Sequence, residues 1–443
     1  MVDEKYNRII EYLNGINQYT NGTGVERGRR LLKQMGNPEA ALKIIHVAGT
    51  NGKGSVCSYI ASVFKECGYK TGLFTSPHLI DVRERIQING RMVEKEQFVK
   101  SFNRVLKAEQ EIKESESDFK LAYFDYFFAA ALDIFAEENV DFVVMETGLG
   151  GRLDITNAVE RPVVSVITTI SLEHTAILGN TIEEIATEKA GIIKERTPVV
   201  YCNDKKTVSN IIENTAKACN TRAIPVSPED YEITINTGKY IDFSLHNEYY
   251  KCDCFSIATG ALYQVMNASV ALMAVAVTAS QSNVCLNEAR VYRGIKNMYW
   301  PGRMEEVLPD VYVDGAHNPQ GISAFVKSVN EICQKREAAT PILLFSVVND
   351  KDYEGMIKTI EGCRYFKSVI VTQTGGKRQL SKDAIALSFS DDTNVTVYEI
   401  ESVVEAFEFG LRKKSDLMFC AGSLYLAGEI KEYLKSNNME AKS

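Results

Sequence analysis

The chain has 443 residues, 45% hydrophobic and 24% charged, with a net charge of −8; this is the composition of an ordinary folded protein long enough for two or three domains. The acidic balance, with no lysine- or arginine-rich block, argues against nucleic acid or an anionic membrane as the main partner. Ten cysteines without regular spacing fit reduced thiols and a cytoplasmic setting, and the one tight pair, Cys252 and Cys254, lacks the second pair of a zinc site.

Met1 to Leu13 reads as a polar amphipathic segment rather than a signal peptide, and no stretch approaches the ~20 apolar residues of a membrane span. Lys43–Val47 is expected as a strand, Ser55–Cys67 as a helix and Thr71–Thr75 as the next strand. That is a βαβ unit, with a parallel sheet and a right-handed crossover. Between its first two elements lie Thr50, Asn51, Gly52, Lys53, Gly54 and Ser55. A buried strand that ends in a glycine-rich turn and enters a helix is a phosphate cradle: backbone N–H groups point inward, the helix N-terminus adds partial positive charge, and a lysine meets the outer phosphates. The Ser55 hydroxyl can ligate the magnesium that accompanies a nucleotide. The GxxxxGK[ST] pattern is matched imperfectly, since Val47 occupies the first glycine position and Gly54 separates Lys53 from Ser55. An ordinary glycine turn is the competing reading.

Further β-branched runs follow at Asp141–Met145, Val163–Ile170 and Pro198–Tyr201, with helical patterns at Tyr126–Glu137 and Thr181–Lys194. Pro225–Phe255 alternates polar and apolar residues and suggests antiparallel hairpins; Ala261–Ala279 reads as a long small-residue helix. After Trp300-Pro301-Gly302 a second α/β series opens, with strands at Val311–Val313, Ile342–Phe345, Val369–Thr372 and Leu417–Cys420. The expected fold is therefore α/β: a larger N-terminal P-loop domain with a parallel-rich sheet, 1–298, and a smaller C-terminal α/β domain, 299–443, with the active site in the cleft between them.

Ser76, Glu146 and His174 each follow a strand-like run, at the edge where an open parallel sheet binds ligands. Each alone reads as structural. Together, oxygen donors with one imidazole suit Mg²⁺ or Mn²⁺ better than zinc. Gly148-Leu149-Gly150-Gly151 lacks the spacing of a dinucleotide fingerprint and reads as a turn that permits close approach. Thr181 to Glu184 form a capping box, and Ile182, Ile185, Ala186, Lys189 and Ile193 then fall on one helical face. An ammonium on an apolar stripe is costly to desolvate, so the Lys189 pKa should fall and its amine could take up carbon dioxide as a carbamate. From these residues alone, snorkelling or pairing with a carboxylate is the favoured reading. In the second series, Asp314 to Pro319 is either a capped turn or a site where Asp314 and His317 reach ribose, phosphate or a polar substrate. Arg303 is placed to reach a nucleotide phosphate.

Taken together, the chain resembles the folylpolyglutamate synthases, including bacterial forms that also act as dihydrofolate synthases, within the Mur ligase-like superfamily. The resemblance rests on His46 to Ser55, Phe74 to Leu79, Glu84 to Gly90, Glu146 to Asp154, His174 to Gly179, Glu188 to Gly191, Pro301 to Arg303, Asp314 to Pro319 and Gly422 to Tyr425. The Thr75-Ser76-Pro77-His78-Leu79 segment separates folate ligases from their cell-wall relatives. The resemblance implies an N-terminal ATPase domain and a Rossmann-like C-terminal domain. It implies ATP contacts at Thr50 to Ser55, Asn267, Arg303 and Asp314, Mg²⁺ at Ser76, Glu146 and His174, and a carbamylated Lys189, with a monovalent cation as a further candidate. Tyr123, Phe124, Asp125, Leu153, Asp154 and Ile155 match positions at the pterin end of the substrate; His317, Ser423 and Tyr425 match positions facing glutamate. Glu173 departs from the Asp that usually precedes the metal histidine, and Asp125 from a frequent Glu, which leaves the choice between folate and dihydropteroate open.

The expected reaction is ATP-driven: the γ-phosphoryl group moves to the substrate's terminal carboxylate, and the amine of L-glutamate displaces phosphate, with Lys53, Lys189 and His317 as the catalytic set. The resemblance suggests a monomer. A peptidoglycan-precursor ligase acting on a UDP-sugar, and a nucleotide switch without ligase chemistry, are the rival readings.

Overall fold

The computed structural model describes residues 2–17, 20, 23–336, 339–375, 379–389, 395–414 and 416–439, the side chains of 251–253 excepted. The chain forms two compact units: Met1–Glu232, Ser244–Phe255 and Met266–Met298 in one, and Ile233–Phe243, Ser256–Val265 and Tyr299–Ser443 in the other.

In the first unit, helices α1 (Val2–Asn14) and α2 (Gly24–Gln34) precede strand β1 (Ile44–Ala48). All five β1 residues are buried, as a strand covered on both faces requires. Helix α3 (Lys53–Glu66) and strand β2 (Thr71–Phe74) complete the βαβ unit. The chain then turns back through β3 (Ile86–Ile88) and β4 (Arg91–Met92), both antiparallel to their neighbours. Helices α4 (Lys95–Ser115) and α5 (Tyr123–Glu137) lead to β5 (Phe142–Glu146) and β6 (Val164–Ile167). Helices α6 (Thr175–Leu178) and α7 (Ile182–Ala190), β7 (Val199–Cys202), α8 (Lys206–Ala218) and β8 (Ala223–Val226) follow. The sheet order is β4-β3-β2-β5-β1-β6-β7-β8, parallel from β2 to β8. Pro225 sits in the edge strand β8, where a missing N–H is tolerated. Helix α5 is apolar on most of its surface and packs Tyr126 on Tyr12 of α1 and Phe102 of α4, and Phe127 on Phe98 of α4; each such buried side chain contributes roughly 1.5–3 kcal/mol.

Strands β9 (Tyr231–Asn236), β10 (Ile241–His246) and β11 (Lys251–Ile257) form a three-stranded sheet in the order β11-β10-β9. Its short links, closed by Thr237 N–H to Tyr240 O and Asn247 N–H to Tyr250 O, suit only antiparallel neighbours. Cys252 is in β11, but its side chain lies outside the described residues. Helix α9 (Tyr263–Ser282) corrects the expectation that no stretch approaches membrane-span length: by length and composition its 20 residues are long and apolar enough. Most of that helix is buried, which its small side chains allow. Helix α10 (Glu288–Lys296) packs on α3.

The second unit carries β12 (Glu305–Leu308), β13 (Val311–Val313), α11 (Pro319–Gln334), β14 (Ile342–Phe345), α12 (Tyr353–Glu361), β15 (Ser368–Val371), α13 (Lys382–Leu387), β16 (Thr396–Glu399), α14 (Val403–Lys413), β17 (Met418–Ala421) and α15 (Leu424–Ser436). The order is β12-β13-β17-β14-β15-β16, parallel except for β12 against β13.

Two expected elements end early, each for a visible reason. The run Val163–Ile170 leaves the sheet after Ile167, because Thr168 and Thr169 turn their hydroxyls to Asn51 O at 2.7 and 3.1 Å. His174 therefore closes no strand; it stands at the N-cap of α6 with φ of 49°. Helix α7 stops at Ala190 rather than Lys194, and its following carbonyls are taken by side chains: Asn157 Nδ2 donates to Gly191 O and Ser165 Oγ to Ile192 O.

Candidate active site

Strand β1 is central, so its carboxyl end lies beside those of β5 and β6, with Val47 opposite Glu146 and Ala48 opposite Ile167. The loop that leaves it is held from the β6 side. Thr50 N–H donates to Thr169 O at 2.8 Å, and the Thr50 hydroxyl bonds Ser171 O and accepts Ser171 N–H. Gly52 caps α3 with φ of 86°, and no side chain caps the helix. The positive end of α3 thus opens on this loop, where an anion is favoured. A Cβ at Gly52 would lie 2.4 Å from Asn267 Oδ1, so α9 delivers Asn267 to this loop. Lys53, Gly54 and Ser55 form the first turn of α3.

Two lysines meet on one carbonyl. Lys53 Nζ donates to Gly49 O at 2.9 Å and Thr50 O at 3.1 Å, and Lys189 Nζ donates to Gly49 O at 2.7 Å. Lys189 is buried on α7. Desolvation, with the Lys53 charge second, pulls its pKa down to about 7, and Glu173 acts in the opposite direction. The favoured alternatives from the sequence, snorkelling or a direct carboxylate pair, are replaced by a buried amine on a backbone oxygen.

Glu146 ends β5, buried, and its Oε2 accepts the Ser76 N–H at 3.0 Å, so these two candidates are brought together. His174 Nε2 lies 3.3 Å from Glu173 Oε1. Among the described residues no three His, Cys, Asp or Glu side chains gather as a metal cluster, so a cation here would draw on hydroxyl oxygens as well. The residues fit a hard divalent ion: beside Glu146 the buried Thr147 hydroxyl has no hydrogen-bond partner, and the donors are mostly oxygen.

The pterin-end candidates adjoin one another. A Cβ at Gly148 would lie 2.7 Å from the Phe124 ring, and the Asp125 charge acts on Asp154. Asp125 caps α5 through the Ala122 N–H and pairs with Arg27 at 2.9 Å; burial raises its pKa, the Arg27 charge opposing. Asp154 is buried and accepts from Leu149 N–H, Thr156 N–H and the Thr156 hydroxyl. Desolvation raises its pKa against these bonds. Ile155 is buried, while Leu153 is exposed. The 148–151 turn permits close approach, since a Cβ at Gly151 would lie 2.8 Å from Glu188 O.

Residues to which the sequence reading gave no role of their own also converge here. Arg27 belongs to α2, whose Gly24 and Gly28 lie against Ile155. Arg85 lies over the Tyr123 and Phe127 rings, at 5.6 and 5.0 Å, and its Nε–H donates to His78 Nδ1 at 2.9 Å. Burial and then the Arg85 charge bring the His78 pKa down to about 4. The signal available was proximity in sequence to Ser76 and the aromatic start of α5.

In the second unit the candidates gather at the carboxyl ends of the adjacent strands β13 and β17. Asp314, buried, accepts from the Tyr263 hydroxyl at 2.5 Å and from Met304 and Ala316 N–H at 2.8 Å each; burial raises its pKa and the Arg303 charge opposes. Arg303 donates to Gly302 O and lies against Gly315. His317 Nδ1 is 2.7 Å from Gly315 O, and Asn318, with Pro319 next, caps α11. Ser423 caps α15 through Tyr425 N–H, and Tyr425 is exposed.

This pairing of a phosphate loop on a parallel sheet with a second α/β unit defines an ATP-dependent ligase of the Mur type. The Mur ligase middle domain matches residues 47–275 and the Mur ligase glutamate ligase domain residues 302–424. Similar proteins include a Bacillus subtilis dihydrofolate synthase/folylpolyglutamate synthase, 34% identical over 93% of this chain and 95% of its own. Another, from Schizosaccharomyces pombe, is named "Probable dihydrofolate synthetase" and is 33% identical over 93% and 98%. The structure is similar to Mycobacterium tuberculosis folylpolyglutamate synthase complexed with ADP and AMPPCP, with a TM-score of 0.84 and 26% identity over 98% of this chain and 99% of that one. The chain belongs to the folylpolyglutamate synthase/dihydrofolate synthase family.

Proposed function

We propose that this protein transfers the γ-phosphoryl group of ATP to the terminal carboxylate of a folate and couples the resulting acyl phosphate to the amine of L-glutamate, and that dihydropteroate is a second acceptor. A carboxylate is a poor electrophile, so phosphorylation is what makes amide formation downhill. The observation that carries the reading is the phosphate loop: an uncapped α3 N-terminus with Lys53 and Lys189 on the same loop carbonyl. Lys53 would move from Gly49 and Thr50 to the phosphates and offset charge as the group transfers. Ser76, Glu146 and His174 would hold Mg²⁺, which would supply further positive charge to the triphosphate. Asn267, Arg303 and Asp314 would contact the nucleotide; Tyr123, Phe124, Asp125, Leu153, Asp154 and Ile155 the pterin; His317, Ser423 and Tyr425 the glutamate. Residues 1–298 serve as the ATP-binding domain and 299–443 as the glutamate-ligating domain of a cytoplasmic monomer that uses small molecules, with neither nucleic acid nor membrane as partner. The names of the Bacillus and Schizosaccharomyces relatives both support dihydropteroate as an acceptor.

The test is one assay with dihydropteroate and tetrahydrofolate in parallel, each with Mg-ATP and L-glutamate, read by mass spectrometry for added glutamyl units. Both acceptors should gain at least one, and Lys53→Ala should abolish the gain. Phosphate release that ignores both glutamate and acceptor would overturn the ligase reading; product from tetrahydrofolate alone would remove the second acceptor.

A further inference from the structure

His46 is a polar residue in the middle of β1, flanked by the apolar Ile45 and Val47, and its side chain is fully buried. Its Nε2 lies 2.8 Å from Thr156 Oγ1, and its Nδ1 is buried without a partner. The Thr156 hydroxyl donates to Asp154 Oδ1 at 2.5 Å. A hydroxyl has a single hydrogen. With that hydrogen on Asp154, Thr156 Oγ1 can only accept from the imidazole, so Nε2 carries the ring proton and Nδ1 is the bare nitrogen. Burial, then the Lys194 charge, holds the ring neutral, with its pKa lowered to about 3.

The bonds therefore run one way, from His46 through Thr156 to the carboxylate. Asp154 Oδ1 takes the Thr156 hydroxyl and the Thr156 N–H at 3.0 Å; Oδ2 takes the Leu149 N–H at 2.8 Å. Two carboxylate oxygens offer about four acceptor sites, so one site, on Oδ2, is left over. Capping the short turn Ile155–Ala158 needs only the Asp154 bond to Thr156 N–H. It does not need a histidine in a core strand, where an unmatched ring nitrogen costs stability that a valine or isoleucine would not. The cost is explained if the direction of the Thr156 hydroxyl matters.

We propose that His46 and Thr156 are positioning residues of the substrate site: they lock the Asp154 carboxylate as an acceptor and aim its remaining lone pair at the N–H groups of the amino-substituted ring of the acyl-acceptor substrate. The proposal rests on the ligase reading and on Asp154 facing that ring. It also places one anchor of the ring on the strand that runs into the phosphate loop four residues later, at Thr50.

The experiment measures KM for dihydropteroate or tetrahydrofolate, for ATP and for L-glutamate in Thr156→Val and His46→Leu, with Thr156→Ser and His46→Gln as conservative partners that keep a hydroxyl or an N–H donor. The two disruptive variants should raise KM for the pterin substrate about tenfold, the loss expected of one buried hydrogen bond, while KM for ATP stays at the wild-type value. The conservative partners should restore most of the loss. An unchanged pterin KM, or an equal rise in the ATP and pterin values, overturns the proposal. Nitrogen NMR of the wild-type His46 ring gives a second reading that no unstable variant can confound. It should show Nε2 protonated and Nδ1 bare at pH 7, with a shift when folate is added; Nδ1 protonation or an unmoved signal overturns the proposal. Wild-type protein that fails to turn over any pterin substrate breaks the ligase reading, whereas normal wild-type turnover with an unchanged Thr156→Val pterin KM breaks this inference alone.

Discussion

Lys189 shows how a single residue can be both a liability and a reagent. Its amine is buried on Gly49 O, beside the Lys53 charge, and its pKa falls from 10.5 to about 7. An unfolded chain keeps that proton up to about pH 10.5, so between about pH 7 and 10.5 the unfolded state binds one proton more than the folded state. Stability then rises with pH across that window, and the full penalty is present below pH 7. Replacing the ammonium by a neutral chain of similar length removes the penalty. Lys189→Met should therefore gain most over the wild type at pH 7, and the gap should shrink toward pH 10, read by urea unfolding in buffers free of carbon dioxide. A gap that does not change with pH would mean that the Lys189 amine binds its proton equally in the folded and unfolded chain, or is covalently modified in both. The apolar stripe raised the burial of Lys189, although snorkelling or a carboxylate pair was favoured from its residues alone. The partner was not legible, because a backbone carbonyl 140 positions away leaves no mark on the sequence. Asp154 and Asp125 raise the same difficulty: their acidity was visible, but the Thr156, Leu149 and Arg27 donors that define them became visible only in three dimensions.

At the scale of elements, the parallel strands were legible to within a residue wherever they were short, buried runs of apolar residues, as β1, β5, β13 and β14 are. The failures came where a β-branched run had other work, as when Thr168 and Thr169 left the sheet to hold Asn51. Edge strands β12 and β16 escaped notice because neither is fully buried and neither carries a continuous apolar run. Helix α2 was missed as part of the site because its sequence, rich in charge and glycine, advertises a surface. Its glycines serve packing: a Cβ at Gly28 would lie 2.8 Å from both Ala158 Cβ and Ile155 Cγ1. Gly28→Val should therefore push α2 off the 155–158 turn, lower stability by about 1–3 kcal/mol, and weaken pterin binding through Arg27 and Ile155 together. Chemical denaturation and the pterin KM would both register it; a variant with normal stability and KM would show that α2 is free to move.

The whole molecule consists of two units, each with its own large sheet, so its unfolding need not be a single transition. That makes ligand-linked stability a test of how far the nucleotide reaches. A ligand that binds only the folded state at 100 times its Kd adds about 2.7 kcal/mol to whatever folds around it. If the triphosphate met only the Thr50–Ser55 loop, Mg-AMPPCP would raise the first unit's transition and leave the second untouched. The proposed contacts at Arg303 and Asp314, both in the second unit, require the second transition to rise as well. Two reporters separate them: the buried Tyr126 region for the first unit and the Tyr312–Phe419 stack for the second, followed by residue-resolved hydrogen exchange. Lys53→Ala should cancel the shift in both units, because it removes binding, whereas Arg303→Ala should leave the first shift largely in place and cancel the second. A second transition that ignores the nucleotide in the wild-type protein would confine the ATP site to the first unit and remove Arg303 and Asp314 from it.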